Sequence, residues 1–494
     1  MASARAETCY IPAMSGSEQT LYDALAARDA RFDGLFFVGV TSTGIYCRPV
    51  CTAKTPKRAN CRFFENAAAA EKASFRPCLR CRPELAPGCA PIDGAQRIAA
   101  RIADRIGEGL LDAGGGLERV AKEFHFSARQ IRRIVRNELG VSPIELVQTR
   151  RLLLAKQLLT ETTLPVIEIA YASGFASLRR FNDAFVKRYG MPPTRLRAKA
   201  VSEAGTPSPG TITLRLSYRP PYDWTGMLAF LEARALSGVE WIGDGAYHRT
   251  VELGGRSGWI RVRHSPTHNA LLVDLAQHLT PVLPALLGRL RDVFDLNARP
   301  DVISAHLAQD PLLRTAVLAN PGLRTPGAFD GFELAMRAIL GQQITVKAAA
   351  TLAGRIVQTL GVPIATPYPQ LTHLAPTAAQ VAAASAADIA RLGVVGKRAE
   401  CLVHVAGLIA DGTLTLHPGG DPEETARALV AVPGIGPWTA QYIALRALRW
   451  PDAFPKEDVV LRNRLGGITA AQAEARSEVW RPWRGYATLH LWRM

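Results

Sequence analysis

Two closely spaced cysteine pairs near the start of the chain place the tightest constraint on its fold. Three residues separate Cys47 from Cys51, and two residues separate Cys78 from Cys81. Each pair can present two sulfurs from one tight turn, which is what a tetrahedral four-thiolate zinc site requires. By spacing alone, a closed structural zinc site is favoured over a reactive one, because most four-cysteine sites are closed.

The other cysteines and the N-terminus indicate the compartment. Cys61 lies between the pairs but belongs to neither, so we expect a buried thiol there, whereas Cys9, Cys89 and Cys401 stand apart. The chain starts without a basic segment followed by an apolar one, and it lacks a run of about 18 apolar residues. We therefore expect a cytoplasmic protein with no membrane partner, in which clustered cysteines hold metal rather than disulfides.

The chain is long enough for several domains, and its charge is uneven. At about 150 residues per domain, 494 residues predict three or four domains. Segments rich in Pro, Gly or small residues near 83–94, 202–210 and 297–302 are typical of linkers. Residues 1–200 carry a net charge of +12 and the rest carry +4. This indicates a polyanion partner for the N-terminal part, with a solvated basic surface as the less favoured alternative from charge alone.

Residue periodicity divides the chain further. Residues 97–197 show the spacing of short amphipathic helices, residues 211–275 contain short β-prone runs between turns, and the pattern is helical again from about 325. The predicted fold is multidomain and mainly α, with α+β parts.

The segments FDGLFFVGVTSTGIYCRPVC and FRPCLRCRPE resemble the N-terminal zinc domain of the bacterial Ada proteins over residues 15–86. The resemblance implies a small α/β domain holding one Zn2+, with Cys47 irreversibly accepting a methyl group from a DNA methylphosphotriester. Zinc keeps cysteines as thiolates, the species that attacks a methyl carbon. Methylation would also remove one negative charge and lessen repulsion from DNA. The implied ligands are Cys47, Cys51, Cys78 and Cys81.

Two helix-turn-helix patterns follow. Apolar segments LERVAKEF and VIEIAYASGF each lead through a turn to a polar helix, with Ser127 and Ser177 as predicted N-caps. With GFASLRRFNDAFVKRYGMPPTRLR, they resemble the all-α DNA-binding domain of the AraC family over residues 97–197, which implies promoter binding, transcriptional activation and RNA polymerase as a partner. Ile131, Ile134 and Val135 are expected in the core. The expected DNA contacts are Arg129, Arg132, Arg133, Arg136, Arg179 and Arg180, with a plain solvated face as the alternative.

The sequence VPGIGPWTA predicts a tight hairpin. Gly434 and Gly436 would let backbone amides approach a DNA phosphate, while Val432, Ile435 and Ala440 pack beneath them. Together with Asp458, twenty residues beyond Trp438, the hairpin resembles the helix-hairpin-helix DNA glycosylases and, among them, the AlkA branch of 3-methyladenine glycosylases. The resemblance implies a strand-rich α+β domain over 211–295 and an all-α glycosylase domain over 300–494.

The same resemblance assigns roles to residues. Asp458 would be the catalytic carboxylate, with a helix N-cap as the alternative reading. Trp438 occupies the position of the lysine in relatives that also cleave the strand, so a monofunctional enzyme is expected. The aromatic walls for a cationic base would be Trp438, Tyr442 and Trp492. Gln343 or Ile344 would fill the space left by the flipped base.

Other features limit the expected activities. Only Cys401 remains in the C-terminal half, so no iron-sulfur cluster is expected there, and the Pro-Cys-His-Arg motif of the Ada alkyltransferase domain is missing. The overall prediction is a bacterial, nucleoid-associated protein that binds double-stranded DNA at damaged sites and at a promoter. Two alternatives remain: a transcription regulator with a structural zinc and a weak or inactive glycosylase, and a glycosylase whose N-terminal half only tethers it to DNA.

Overall fold

The computed structural model describes residues 18–87, 94–109, 111, 116–124, 126–200 and 210–494. Cys9, Cys89, the predicted start of the zinc domain at 15–17 and parts of the first two predicted linkers lie outside the described residues. No helix in the described ranges is both long enough and apolar enough to span a bilayer.

The first domain is small and α/β, as predicted. Its four-stranded sheet has the order β3-β1-β2-β4, with β1 antiparallel to β2 and β3, and β2 parallel to β4. The parallel pairing sets Tyr46 opposite Pro77, so each of these residues directly precedes a cysteine at the same end of the sheet. The elements are α1 (Glu18–Ala26), β1 (Phe37–Val40), β2 (Ile45–Cys47), β3 (Cys61–Phe64), α2 (Ala67–Lys72) and β4 (Arg76–Pro77).

The second domain is all-α, with two helix-turn-helix units that share one long helix. Ser127 and Ser177 cap the second helix of each unit, as predicted, because each hydroxyl accepts a backbone N–H three residues on. Ile131 and Val135 are buried, and Ile134 packs half-buried against the same cluster. The helices are α3 (Gly94–Gly107), α4 (Gly116–Glu123), α5 (Ala128–Leu139), α6 (Pro143–Glu161), α7 (Val166–Ala172), α8 (Leu178–Tyr189) and α9 (Pro193–Ala200).

The third domain is an antiparallel sheet of order β5-β9-β8-β7-β6 packed against helices. Its apolar core is continuous with that of the second helix-turn-helix unit: one cluster contains Phe181 and Phe185 of α8 together with Ile212 and Leu214 of the sheet. The two domains are thus one packed unit. The elements are β5 (Thr211–Ser217), α10 (Trp224–Glu232), β6 (Glu240–Gly243), β7 (Ala246–Leu253), β8 (Arg256–Ser265), β9 (Ala270–Ala276) and α11 (Leu283–Val293).

The C-terminal part is helical and packs around three apolar clusters, of which the two larger meet at Trp492. Its helices are α12 (Pro300–Leu307), α13 (Pro311–Ala319), α14 (Gly331–Leu340), α15 (Val346–Leu360), α16 (Ala378–Ala383), α17 (Ala386–Arg391), α18 (Gly396–Ala410), α19 (Pro422–Val430), α20 (Pro437–Arg446), α21 (Val459–Arg464), α22 (Ala470–Ser477) and α23 (Arg484–Arg493).

Candidate functional site

The two cysteine pairs meet at the end of the first sheet. The sulfurs of Cys47, Cys51, Cys78 and Cys81 all lie within 4.8 Å of one another. Hydrogen bonding with Cys51 raises the pKa of Cys47, and hydrogen bonding with Cys47 lowers the pKa of Cys51 to about 7. Four thiolates this close repel one another unless a cation neutralises them, and a four-sulfur set is typical of zinc. The residues present therefore fit one Zn2+.

Arg48 fixes the loop geometry around this site. Its backbone N–H donates to Cys81 Sγ at 3.3 Å, and its guanidinium donates to the Cys81 carbonyl at 3.1 Å. The same buried guanidinium forms an ion pair with Asp33. One residue beside Cys47 thus holds the second cysteine pair in register with the first.

Glu71 of α2 joins the zinc domain to the helix-turn-helix domain of α3–α9, which we call the reader. Its carboxylate accepts hydrogen bonds from Tyr46 Oη at 3.0 Å and from Thr149 Oγ1 of α6 at 2.6 Å. It also forms an ion pair with Arg188 of α8 at 3.2 Å. Burial raises the pKa of Glu71, against the opposing charge of Arg188. A polar cluster beside the cysteine site therefore contacts both helices.

Lys156 makes a second connection. This residue of α6 is fully buried, and its Nζ donates to the Cys78 carbonyl at 2.8 Å and to Glu84 at 2.6 Å. The long helix of the reader is thus hydrogen-bonded directly to the backbone of a zinc-ligand turn.

The reader presents the predicted arginines to solvent. All six lie on α5 or α8, the second helix of each unit, and all six are exposed. An exposed guanidinium can bind a DNA phosphate or donate a pair of hydrogen bonds to guanine. The six are Arg129, Arg132, Arg133 and Arg136 on α5 and Arg179 and Arg180 on α8.

The predicted hairpin joins α19 to α20. Gly434 has φ +93°, and a Cβ there would come within 3.0 Å of Cys401 Cβ, so this position requires glycine. Gly436 has an ordinary φ of −86°, and a Cβ there would meet open space. Both glycines are exposed, while Val432 and Ile435 are buried beneath them.

Asp458 is the N-cap of α21, which is one of the two readings that its sequence position allows. Its Oδ1 accepts the Leu461 N–H at 2.8 Å and so caps α21. Its Oδ2 accepts the Trp438 Nε1–H at 2.7 Å. The carboxylate is half-buried and is held from two sides against the helix that follows the hairpin.

The three predicted aromatic residues come together beside this carboxylate. Trp438 and Tyr442 are stacked, with ring centroids 5.2 Å apart and planes 8° apart. Trp492 of α23 lies 6.4 Å from Tyr442 at 45°. Tyr442 is also buried as part of the surrounding apolar core, which is the other reading of this residue.

The loop between α14 and α15 faces the hairpin. Gln343 is exposed at φ +55°, an uncommon conformation for a residue with a side chain, whereas Ile344 is half-buried. Gln342 was missed by sequence reasoning, although it adjoins a predicted site residue. Its Nε2 donates to the Gly434 carbonyl at 2.9 Å and to Thr439 Oγ1 at 3.2 Å, which ties the loop to the hairpin.

The fold belongs to a class of DNA-binding proteins in which a base-excision repair domain follows a zinc domain and a helix-turn-helix region. Four families match in chain order: the metal binding domain of Ada over 20–84, a helix-turn-helix domain over 120–199, the AlkA N-terminal domain over 213–330, and the HhH-GPD superfamily of base excision DNA repair proteins over 336–484.

Full-length similarity is more specific. The chain is 39% identical over 477 residues, 95% of each chain, to the "probable bifunctional transcriptional activator/DNA repair enzyme AlkA" of Mycobacterium tuberculosis. It therefore belongs to the family of bifunctional transcriptional activator/DNA repair enzymes AlkA. Over 277 residues, 56% of this chain and 95% of the other, it is 38% identical to DNA-3-methyladenine glycosylase 2 of Escherichia coli. The 3-methyladenine DNA-glycosylase of Archaeoglobus fulgidus shares the fold of the C-terminal half, with a TM-score of 0.50, 21% identity and coverage of 56% of this chain and 96% of that one.

Proposed function

We propose that the C-terminal half excises alkylated purines such as 3-methyladenine from DNA, and that the N-terminal half transfers a methyl group from a DNA methylphosphotriester to Cys47 and thereby activates transcription. The observation that carries the enzymatic part is the fixed carboxylate of Asp458, hydrogen-bonded to Trp438 of the aromatic cluster.

Excision requires the base to leave the DNA stack and the bond between sugar and base to break. An N-alkylated purine already carries positive charge, so it leaves with the bonding electrons as a neutral base without strong acid assistance. Asp458 then stabilises the cationic sugar and orients the water that completes hydrolysis. Trp438, Tyr442 and Trp492 provide flat π surfaces for the cationic base.

The residues around the hairpin support the DNA contacts of this reaction. The exposed backbone at Gly434 and Gly436 can approach a phosphate. Gln343 is exposed and has a left-handed backbone, which supports a role in filling the space that the flipped base leaves. Trp438 has no amine to form a Schiff base, so the enzyme does not cleave the strand by that route.

The match to the metal binding domain of Ada supports methyl transfer to Cys47, and the four cysteines, whose sulfurs are all buried, differ in their surroundings. As whole residues, Cys51 and Cys78 are buried, while Cys47 and Cys81 are partly exposed. The Arg48 amide draws charge from the Cys81 sulfur, which leaves Cys47 as the more available nucleophile. The bond between the Cys47 sulfur and the methyl carbon forms as the bond between that carbon and the ester oxygen breaks. The oxygen stays on phosphorus, so the DNA phosphate leaves as an ordinary diester anion. Bound zinc supplies the positive charge that keeps the cysteines as thiolates.

Regulation rests on the contacts between the zinc domain and the reader. Glu71 and Lys156 connect the cysteine site to α6 and α8, and α8 carries two of the exposed arginines. Methylation removes one negative charge from the zinc site, which lowers repulsion from the DNA backbone and raises promoter affinity. We propose RNA polymerase as the further partner and the nucleoid as the location in the cytoplasm.

The glycosylase is tested with a duplex containing one 3-methyladenine. Wild-type protein should release free 3-methyladenine with multiple turnover, and borohydride should trap no covalent complex with DNA. Specific binding to the duplex without release would instead support a regulator with an inactive glycosylase.

A further inference from the structure

Asp458 ends a short loop that one face of α20 holds at both ends. At the end of this loop, the Trp438 Nε1–H donates to Asp458 Oδ2 at 2.7 Å. At its start, the Phe454 backbone N–H donates to Gln441 Oε1 at 3.0 Å. Trp438 and Gln441 are three residues apart, and side chains with this spacing lie on the same face of a helix. The loop that carries the carboxylate is therefore fastened twice to one helix face.

The loop itself leaves little freedom between these two hydrogen bonds. The Lys456 N–H donates to the Phe454 carbonyl at 2.9 Å, and the Asp458 N–H donates to the Pro455 carbonyl at 2.8 Å. The ring of Pro455 also fixes one backbone dihedral angle. A shift of Phe454 is therefore passed on to Asp458 rather than absorbed between them.

The contact at Gln441 is the one that ties the start of the loop to α20. The Phe454 side chain is buried in a different apolar cluster, with its ring 6.1 Å from that of Trp480. In the part of the chain that the structure describes, no other hydrogen bond joins residues 454–457 to α20. Without the Gln441 oxygen, the N–H of this buried residue would lack its acceptor. An unsatisfied buried N–H is costly enough to draw the loop towards another acceptor.

The same helix continues from the hairpin. α20 begins at Pro437, directly after Gly436, and its buried face packs into the domain core. A phosphate held at the hairpin and a carboxylate held by Trp438 and Gln441 would thus both be placed by one rigid element. The distance from the hairpin to the Asp458 carboxylate is set along this helix.

We propose that Gln441 is a positioning residue for excision: by accepting the Phe454 N–H, it holds the loop that places the Asp458 carboxylate beside the sugar of the flipped nucleotide. This inference rests on the proposed excision of alkylated purines. Gln441 acts through Asp458 and needs no contact with DNA. Displacing a reacting group by about 1 Å can cost about a hundredfold in rate, and Trp438 still holds the carboxylate when Gln441 is lost, so part of that effect is expected.

In the first experiment, single-turnover release of 3-methyladenine is measured at saturating protein. Gln441→Met keeps the length of the side chain but has no acceptor oxygen, so the rate should fall about tenfold, while affinity for a duplex with a stable abasic-site analogue stays unchanged. Gln441→Glu keeps an acceptor and should restore the rate to within about twofold of wild type. A wild-type rate in Gln441→Met protein, or a loss confined to DNA affinity, would overturn the proposal.

The second experiment asks whether Gln441 acts through the carboxylate. Gln441→Met is combined with Asp458→Asn, and the excision that remains above spontaneous base loss is compared with that of Asp458→Asn alone. With no carboxylate to misplace, the added substitution should change the remaining rate by less than about twofold. A further loss of about tenfold would show that Gln441 supports the fold in general and would contradict its positioning role.

Gln157→Met is the matched control for stability. Gln157 is buried on α6, in the helix-turn-helix domain, and its Nε2 donates to the Arg215 carbonyl at 2.9 Å. This variant should lose at least as much stability in chemical denaturation as Gln441→Met, and it should excise at the wild-type rate. Equal losses of excision in both variants would refute the proposal. Failure of wild-type protein to release 3-methyladenine would instead contradict the proposed glycosylase function, whatever the variants do.

Discussion

Replacing Asp458 with asparagine separates the structural and chemical roles of this side chain. Asparagine caps helices as well as aspartate does, so α21 should keep its start. The amide has one acceptor oxygen for two donors, the Leu461 N–H and the Trp438 Nε1–H, so one hydrogen bond is lost. We expect a loss of about 1 kcal/mol in the free energy of unfolding, which leaves the fold intact.

The expected chemical effect is larger. A unit charge about 4 Å from the developing cationic sugar is worth about 4 kcal/mol at an effective dielectric constant near 20. Each 1.36 kcal/mol or so corresponds to a factor of ten in rate, so excision should fall about a thousandfold. The assay is single-turnover release of 3-methyladenine from a duplex, with chemical denaturation to measure stability.

The chain contains a closely matched control. Asp310 caps α13 by accepting the Leu312 N–H at 2.9 Å, and it accepts the Trp480 Nε1–H at 2.7 Å, far along the chain from the hairpin. Asp310→Asn should lose at least as much stability while keeping the wild-type excision rate. If Asp458→Asn retained the wild-type rate, or if both variants lost excision equally, Asp458 would be a structural cap and the catalytic assignment would be wrong.

Three further predictions concern other parts of the molecule. Cys78→Ser should abolish stoichiometric zinc in metal analysis and unfold the first domain, and retained zinc would contradict the four-sulfur site. Gln342→Ala removes the hydrogen bonds from the loop between α14 and α15 to Gly434 and Thr439. It should lower the rate of single-turnover excision about fivefold with little change in melting temperature. An unchanged excision rate would show that this loop does not contribute to excision. Burial raises the pKa of Glu108 to about 7, so the folded protein holds a proton that the unfolded chain releases near pH 4.5 or so. The contribution of Glu108 to the free energy of unfolding is complete below that pH and is lost as pH rises towards 7, which destabilises the fold by about 3 kcal/mol. Glu108→Gln should remove this part of the pH dependence when the free energy of unfolding is measured by denaturation at several pH values. The same pH dependence in wild type and Glu108→Gln would refute the prediction.

Local patterns predicted much of this architecture because the relevant contacts are short in sequence. Ser127 and Ser177 were identified as caps from their positions before apolar helices, and the cysteine pairs from their spacing. The position of Asp458 before α21 indicates its N-cap, whereas its hydrogen bond to the Trp438 indole joins residues twenty apart and depends on how α20 and α21 pack. Periodicity describes which residues are apolar, but it does not describe how many partners a polar side chain has.

The features that sequence did not predict depend on contacts between distant segments. The core shared by Phe181 and Ile212 crosses a predicted domain boundary, and helical or strand periodicity does not say which apolar faces meet. Gln441 lies on a predicted helix, yet its hydrogen bond to Phe454 depends on how α20 packs. The motif does not show which of its two glycines has a special backbone conformation: Gly434 lies in the left-handed region, whereas Gly436 has an ordinary φ.

A methyl-transfer assay on Cys47 tests whether this one chain combines base excision with a methyl acceptor that senses damage. Zinc-loaded wild-type protein is incubated with a duplex whose only lesion is a methylphosphotriester, and peptide mapping by mass spectrometry then locates any added methyl group. We expect one methyl group per protein, on Cys47, with no turnover. An unmodified protein, or a methyl group on Cys51, Cys78 or Cys81 instead, would contradict it.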